Sequence, residues 1–119
     1  MKWLYLALPL SALAVTASVA AQSQGSQAQR GQQLFTHFCA PCHGQGAGDD
    51  RSDMLPGTAA LARRYQGAKP AALELRTDLP APVLTLFVRR GVGPMPAFRP
   101  SELSDADVAA IAAYLAQPD

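Results

Sequence analysis

Two cysteines three positions apart, Cys39 and Cys42, followed at once by His43, constrain this chain more than any other stretch of it. A disulfide between them would enclose only Ala40 and Pro41, and so short a loop restricts the unfolded chain far less than a long one. The pair therefore suits chemistry or cofactor attachment better than stapling. A thioredoxin-like dithiol has this spacing but needs a neighbouring βαβ pattern, which the sequence lacks. Zinc held by His37, Cys39, Cys42 and His43 would crowd four ligands into seven residues, whereas structural zinc sites draw ligand pairs from separated segments, and no further cysteine exists. The pentapeptide Cys39-Ala40-Pro41-Cys42-His43 matches C-x-x-C-H, the signature of c-type haem attachment. Two thiols on one turn reach the two vinyl groups of one porphyrin, and the next residue sets an imidazole beneath the iron. We expect one covalent haem c per chain, bound through Cys39 and Cys42, with His43 as an iron ligand.

A sixth ligand is then required, and Met95 is the strongest candidate. It lies in Gly91-Val92-Gly93-Pro94-Met95-Pro96, where two glycines and two prolines fix the backbone around a flexible thioether. The separation of 52 positions between His43 and Met95 is ample for the chain to pass round a porphyrin and return on its other face. Met54 lies only eleven residues past His43, in a polar stretch, and is less well placed to cross over. Methionine is also an ordinary core filler. His37 reads as a surface residue of the helix preceding the motif.

The beginning of the chain indicates the compartment. Met1-Lys2 runs into an apolar stretch from Trp3 to Val15 and then Ala17-Ser18-Val19-Ala20-Ala21, the layout of a secretory signal peptide. Cleavage after Ala20, with Ser18 and Ala20 as the small residues, or after Ala21, starts the mature chain at Ala21 or Gln22. The rival reading, an uncleaved anchor, needs about 20 strongly apolar residues, and Pro9, Ser11, Thr16 and Ser18 interrupt the segment. No later stretch is long enough to span a bilayer, so no stable membrane insertion of the mature chain is expected. Removing Lys2 with the leader leaves nine basic residues against nine acidic ones. A neutral surface argues against nucleic acid as a partner. We expect a periplasmic or otherwise exported protein with a signal peptide at 1–21, a flexible polar leader at 22–29 and one domain at 30–119.

The rest of the chain reads as all-α with generous loops. Ser26 and Gln29 have the spacing of a capping box, predicting a helix to about Phe38 with Gly31, Phe35, Leu34 and Phe38 at helical spacing. Residues 44–57 are rich in Gly, Asp, Ser and Pro, a loop carrying Asp49, Asp50 and Asp53. Short helices are expected from Thr58 to Tyr65, stopped by Gly67, from Pro70 to Arg76, and from about Pro82 to Gly91. A last helix starts after Ser104, with Asp105 and Asp107 against the positive end of its dipole and Val108, Ile111, Ala112 and Leu115 on one face, and Pro118 marks its end.

With these residues in place, the chain from 30 to 117 resembles the class I c-type cytochromes. Gly31 and Phe35 match the family's first-helix glycine and aromatic, Tyr114-Leu115 its last helix, and Arg90-Gly91 through Met95-Pro96 its methionine loop. The resemblance implies a small cytochrome c fold, with short helices and loops wrapped round one haem. It also implies that the first and last helices cross near Gly31 with Tyr114 beside Phe35, and that the carbonyl of Pro56 accepts a bond from His43. The implied activity is that of a carrier, not an enzyme: single electrons pass between a dehydrogenase and a downstream acceptor. Leu55 to Leu61, Arg76 to Leu79 and Met95 to Arg99 are further similar to small cytochromes serving flavin-dependent oxidases of phenols, such as 4-cresol dehydrogenase. A flavin-dependent dehydrogenase, a terminal oxidase or another cytochrome are therefore the partners to consider, and Arg89, Arg90 and Arg99 offer a basic rim for docking or simply a solvated charged surface. Two alternatives stand beside the carrier. A haem-based sensor or enzyme would need a displaceable sixth ligand, and a haem-free thiol protein would carry no porphyrin.

Overall fold

The computed structural model describes residues 12–117, with side chains from residue 23 onward. The apolar start of the expected signal peptide, residues 1–11, and the helix stop at Pro118 lie outside the described residues. Five helices follow in order: α1 (Ala12–Phe38), α2 (Ala40–His43), α3 (Pro56–Tyr65), α4 (Ala81–Arg90) and α5 (Asp105–Leu115), with one 3-10 turn at Leu73–Leu75. No strand occurs among the described residues, and the nearest approach to one is a single bridge between Val92 and Met95. The chain is all-α.

The core forms where α1 lies across α5. Phe35, Leu103, Val108 and Ile111 are almost completely buried, joined by Leu84 and Val88 from α4 and by Leu115. Close approach of the two helices depends on Gly31. A Cβ there would overlap the carbonyl oxygen of Ala110 and lie 2.9 Å from Cβ of Tyr114. One turn on, Phe35 and Tyr114 stack with ring centroids 5.6 Å apart, as the resemblance implied. Arg30 closes the polar side of the crossing through Nε and Nη2 to Oδ1 of Asp107, the latter at 2.5 Å.

Asp107 has a second task, because it is the third residue of α5 and completes a reciprocal capping box. Its backbone N–H donates to the Ser104 hydroxyl and its carboxylate accepts from the Ser104 N–H at 3.0 Å. Arg30 first, and then these Ser104 bonds, hold the Asp107 carboxyl down to about 2. A depressed carboxyl contributes stability that is complete above its unfolded value near 3.9 and is lost as pH falls through the folded one. Acid unfolding should therefore steepen between about pH 4 and about pH 2. Asp107→Asn should flatten that limb of a stability–pH curve measured by circular dichroism.

Three expectations are corrected. Residues 22–29, expected as a flexible polar leader, lie within α1, and Ala28 is buried at 4% exposure. Ala28 lies one turn before Gly31 on the same face, and alanine and glutamine are good helix formers, so α1 runs through this stretch. Ser26 accordingly caps nothing. Its hydroxyl donates to the carbonyl of Ser23 within the continuing helix at 2.8 Å. The helix expected from Pro70 to Arg76 shrinks to the 3-10 turn, because the chain here is arranged around a side chain. Arg76 is buried, donating to both carboxylate oxygens of Asp78 and to the Tyr65 hydroxyl, with its guanidinium 5.1 Å from the Tyr65 ring centre. Lys69 joins Asp78 from the other side at 2.7 Å, so the segment is laced by charged bonds in place of a helical ladder.

Candidate cofactor site

The two cysteines sit at a corner. Cys39 ends the α1 ladder by donating its N–H to Phe35, and its carbonyl then accepts from both Cys42 and His43, which starts α2 at once. Pro41 falls in the first turn of α2, where a missing N–H costs nothing. One tight turn thus carries Cys39, Cys42 and His43, as the motif required. Both thiols are free, with Cys42 exposed and Cys39 partly covered. Burial, reinforced by repulsion from Cys42, pushes the Cys39 thiol up to about 11. Catalytic dithiols lower a thiol pKa; this environment does the reverse. Among the described residues no group of three or more His, Cys, Asp or Glu side chains is arranged to hold a metal ion.

His43 is held by α3. A Cβ on Gly57 would lie 2.7 Å from Cε1 and 2.8 Å from Nδ1 of the imidazole, so only a glycine lets the first turn of α3 rest against the ring. Beside it, buried Thr58 donates its hydroxyl to the carbonyls of Gly44, at 2.8 Å, and Cys42, at 3.4 Å. The expected bond to the Pro56 carbonyl is not made. Pro56 is the first residue of α3, two positions earlier than expected, so its carbonyl points along the helix axis. Nδ1 of His43 is therefore buried without a protein partner. Burial also holds this imidazole below the ordinary histidine range, which favours the neutral form that binds metals.

The methionine loop closes on α4. Gly91 ends that helix at a φ of 65° and a Cβ there would come 2.5 Å from the Met95 carbonyl, so glycine is required on both counts. Val92 and Met95 then exchange both backbone bonds, at 3.0 and 3.1 Å, across Gly93 and Pro94. A φ of 55° at Gly93 followed by proline has the signs of a type II′ hairpin turn. Met95 is half-buried on this rigid loop, whereas Met54 is 42% exposed in the loop after α2. Phe98 carries the methionine segment towards the cysteines: its ring meets Phe38, the residue before Cys39, edge-on at 6.0 Å, and its N–H bonds to Val88. The sequence reading had singled out Met95 but gave Phe98 no role, since nothing local shows which aromatic it will meet.

Arg89 does not belong to a free basic rim. Its guanidinium is spent on the Phe98 carbonyl and on Asp105, and Arg99 pairs with Glu102, which leaves Arg90 exposed at the end of α4. Those bonds of Arg89 fasten the far end of the methionine loop to the start of α5.

The residues present fit a haem. Beyond the free thiols and the half-buried imidazole, Leu75, Val83, Leu86, Phe87 and Val92 are each between 38% and 56% exposed. Val83 and Phe87 lie one turn apart on α4, offset from the core-facing pair Leu84 and Val88, so this short helix is apolar on two faces. Exposed apolar side chains grouped along one helix mark a binding surface, and a flat hydrophobic group would cover those of α4.

The family model "Cytochrome C oxidase, cbb3-type, subunit III" matches residues 26–115. Among curated proteins, cytochrome c6 of Picosynechococcus sp. (strain ATCC 27264 / PCC 7002 / PR-6) is 34% identical over 114 residues, covering 93% of this chain and 90% of that protein. No solved structure matches the chain.

Proposed function

We propose that this chain, which belongs to the c-type cytochromes of the family described as cytochrome C oxidase, cbb3-type, subunit III, carries single electrons in the periplasm from a dehydrogenase to a downstream acceptor. That it is a small, monohaem, electron-carrying cytochrome with covalent haem c follows from the family and from its likeness to a cytochrome c6. The donor, the acceptor, the compartment and the assignment of both axial ligands are the proposal. One observation carries it: a C-x-x-C-H turn whose imidazole rests against the first turn of α3, with a stiffened methionine loop tied through Phe98 to the residue before that turn.

Bound haem supplies a one-electron iron couple. Cys39 and Cys42 hold it by thioether bonds, so a domain too small to enclose it fully cannot lose it. His43 and Met95 would hold the iron, a pairing that would raise the potential and leave no position open to substrate. The two backbone bonds between Val92 and Met95 stiffen the loop that carries the thioether, and the exposed apolar side chains of α4 would be covered by the bound group. This suits electron transfer, where little should move between oxidation states.

The acceptor is proposed as a terminal oxidase or another cytochrome, consistent with the oxidase named in the family description. The donor is proposed as a flavin-dependent dehydrogenase, on the likeness of Leu55 to Leu61 and Met95 to Arg99. Expression in a host that matures c-type cytochromes, followed by affinity capture from periplasm of the source cells, tests this. The expected result is a coloured protein, retaining haem through denaturing electrophoresis, that captures a flavoprotein able to reduce it. Capture of a terminal oxidase without any flavoprotein would remove the proposed donor, and colourless material would remove the whole reading.

A further inference from the structure

Phe98 has both of its backbone groups bound to the last turn of α4. Its N–H donates to the carbonyl of Val88 at 2.8 Å, and its carbonyl accepts from Nη1 of Arg89 at 3.1 Å. The chain from Val88 to Phe98, which contains the Val92–Met95 hairpin, is thus a loop tied at its base by one backbone bond and one side-chain bond. The bonds between Val92 and Met95 lie inside that loop. They fix its shape, and the base fixes where it sits. Nη2 of Arg89 donates in turn to Oδ1 of Asp105, the first residue of α5, at 2.6 Å. The Arg89 side chain is 20% exposed and that of Asp105 87%, so the guanidinium is largely covered and its carboxylate partner is not. One side chain therefore joins the end of α4, the end of the methionine loop and the start of α5.

We propose that Arg89 is a positioning residue for Met95: by latching the Phe98 carbonyl to α4 and to the start of α5, it holds the methionine loop shut and sets how readily an outside ligand replaces the thioether. The inference rests on Met95 being an iron ligand. Only Pro96 and Ala97 separate Met95 from Phe98. Proline fixes its own φ and restricts the residue before it, so a shift of Phe98 is passed on to Met95 with little absorbed between them. An exposed pair of opposite charges contributes little by itself. The weight falls on the bond from the charged guanidinium to the Phe98 carbonyl, a stronger kind than one between neutral groups, and Asp105 orients the donor. Arg90, the next residue, carries the same charge but is exposed at the helix end and takes no part in these bonds.

The test compares the holoprotein with Arg89→Gln, which removes the charged latch, and with Arg90→Gln, which removes the same charge one residue on. Two quantities are read: the affinity of the oxidised protein for added imidazole, followed by its absorption spectrum, and amide hydrogen exchange at Phe98. Arg89→Gln should bind imidazole about tenfold more tightly, the low end of what one hydrogen bond from a charged group contributes to an equilibrium. Exchange at the Phe98 amide, which the base of the loop protects, should quicken by a similar factor. Arg90→Gln should match the parent in both. Parental values of either quantity in a folded, haem-loaded Arg89→Gln protein overturn the proposal. An equal gain in Arg90→Gln also overturns it, because the effect would then be one of charge alone. Should Arg89→Gln not accumulate, Asp105→Asn is read in its place, since it keeps the guanidinium and removes its charged partner. Imidazole binding about threefold tighter, the scale of an exposed ion pair, then supports the latch, and parental binding overturns it. A parent protein that binds imidazole as tightly as Met95→Ala would instead strike the reading of Met95 as a ligand, so the two failures are distinct.

Discussion

Met95→Ala should convert a protein that ignores carbon monoxide into one that binds it. With Met95 in place, the reduced protein at neutral pH is expected to show no spectral change under the gas, because the proposed pair, His43 and Met95, would leave no position on the iron open. Removing the thioether leaves haem attachment intact, since Cys39 and Cys42 are on a different turn of chain, but opens one face of the iron. The potential should fall as well. A drop on the order of 0.1 V is expected, within the ~0.8 V over which axial ligands set haem potentials. Met54→Ala is the control and should leave both properties as they were, since Met54 lies 42% exposed on the loop after α2. Carbon monoxide binding by the parent protein, or by Met54→Ala in place of Met95→Ala, would refute the ligand assignment. Binding by the parent would also revive a sensor with a displaceable sixth ligand. The variant should stay folded, because the hairpin is held by backbone bonds between Val92 and Met95 that alanine retains.

Gly31→Val should cost most of the stability of the fold. The added atoms would fall on the backbone carbonyl of Ala110, which cannot rotate away as a side chain can. Relief requires α1 and α5 to separate, and separation loosens Phe35, Val108 and Ile111, all within 1% of complete burial. Overpacking alone costs about 1–3 kcal/mol, and opening the contacts of a buried aromatic adds up to ~3–5 kcal/mol. At ~4–8 °C per kcal/mol for a domain of this size, the midpoint should fall on the order of 20 °C. Gly25→Ala serves as the comparison, because a Cβ there meets nothing within 4 Å and lies on the same helix. It should be neutral or slightly stabilising, by about 0.5–1 kcal/mol. Thermal unfolding followed by far-ultraviolet circular dichroism separates the two; equal midpoints would show that α1 and α5 do not cross at Gly31.

Elements whose signals are local were the legible ones. Ser104 and Asp107 form a capping box because the interaction spans three residues, and the apolar face of α5 repeats within eleven. Gly91, Gly93 and Pro94 demand their turn whatever surrounds them. The start of α1 was misread for a complementary reason: Ser26 and Gln29 have a capping pattern, but the burial of Ala28 under distant residues continued the helix through them. Likewise Pro70 looked fit to begin a helix, and the distant Tyr65 together with Asp78 drew Arg76 inward and left only a single 3-10 turn.

The sequence alone determined the chemistry of this protein: five consecutive residues specify how a porphyrin is attached, and one stiffened loop offers the proposed second ligand, because covalent spacing and turn geometry are properties of short segments. Tertiary structure alone decided how that chemistry is supported. That Gly57 rests on His43, that Thr58 bonds the carbonyl of Cys42, that Phe98 meets Phe38 and that Arg89 is spent on Asp105 all depend on contacts between segments far apart in the chain. Such contacts are selected by packing and by the pairing of buried polar groups, and neither leaves a periodic trace in the order of residues.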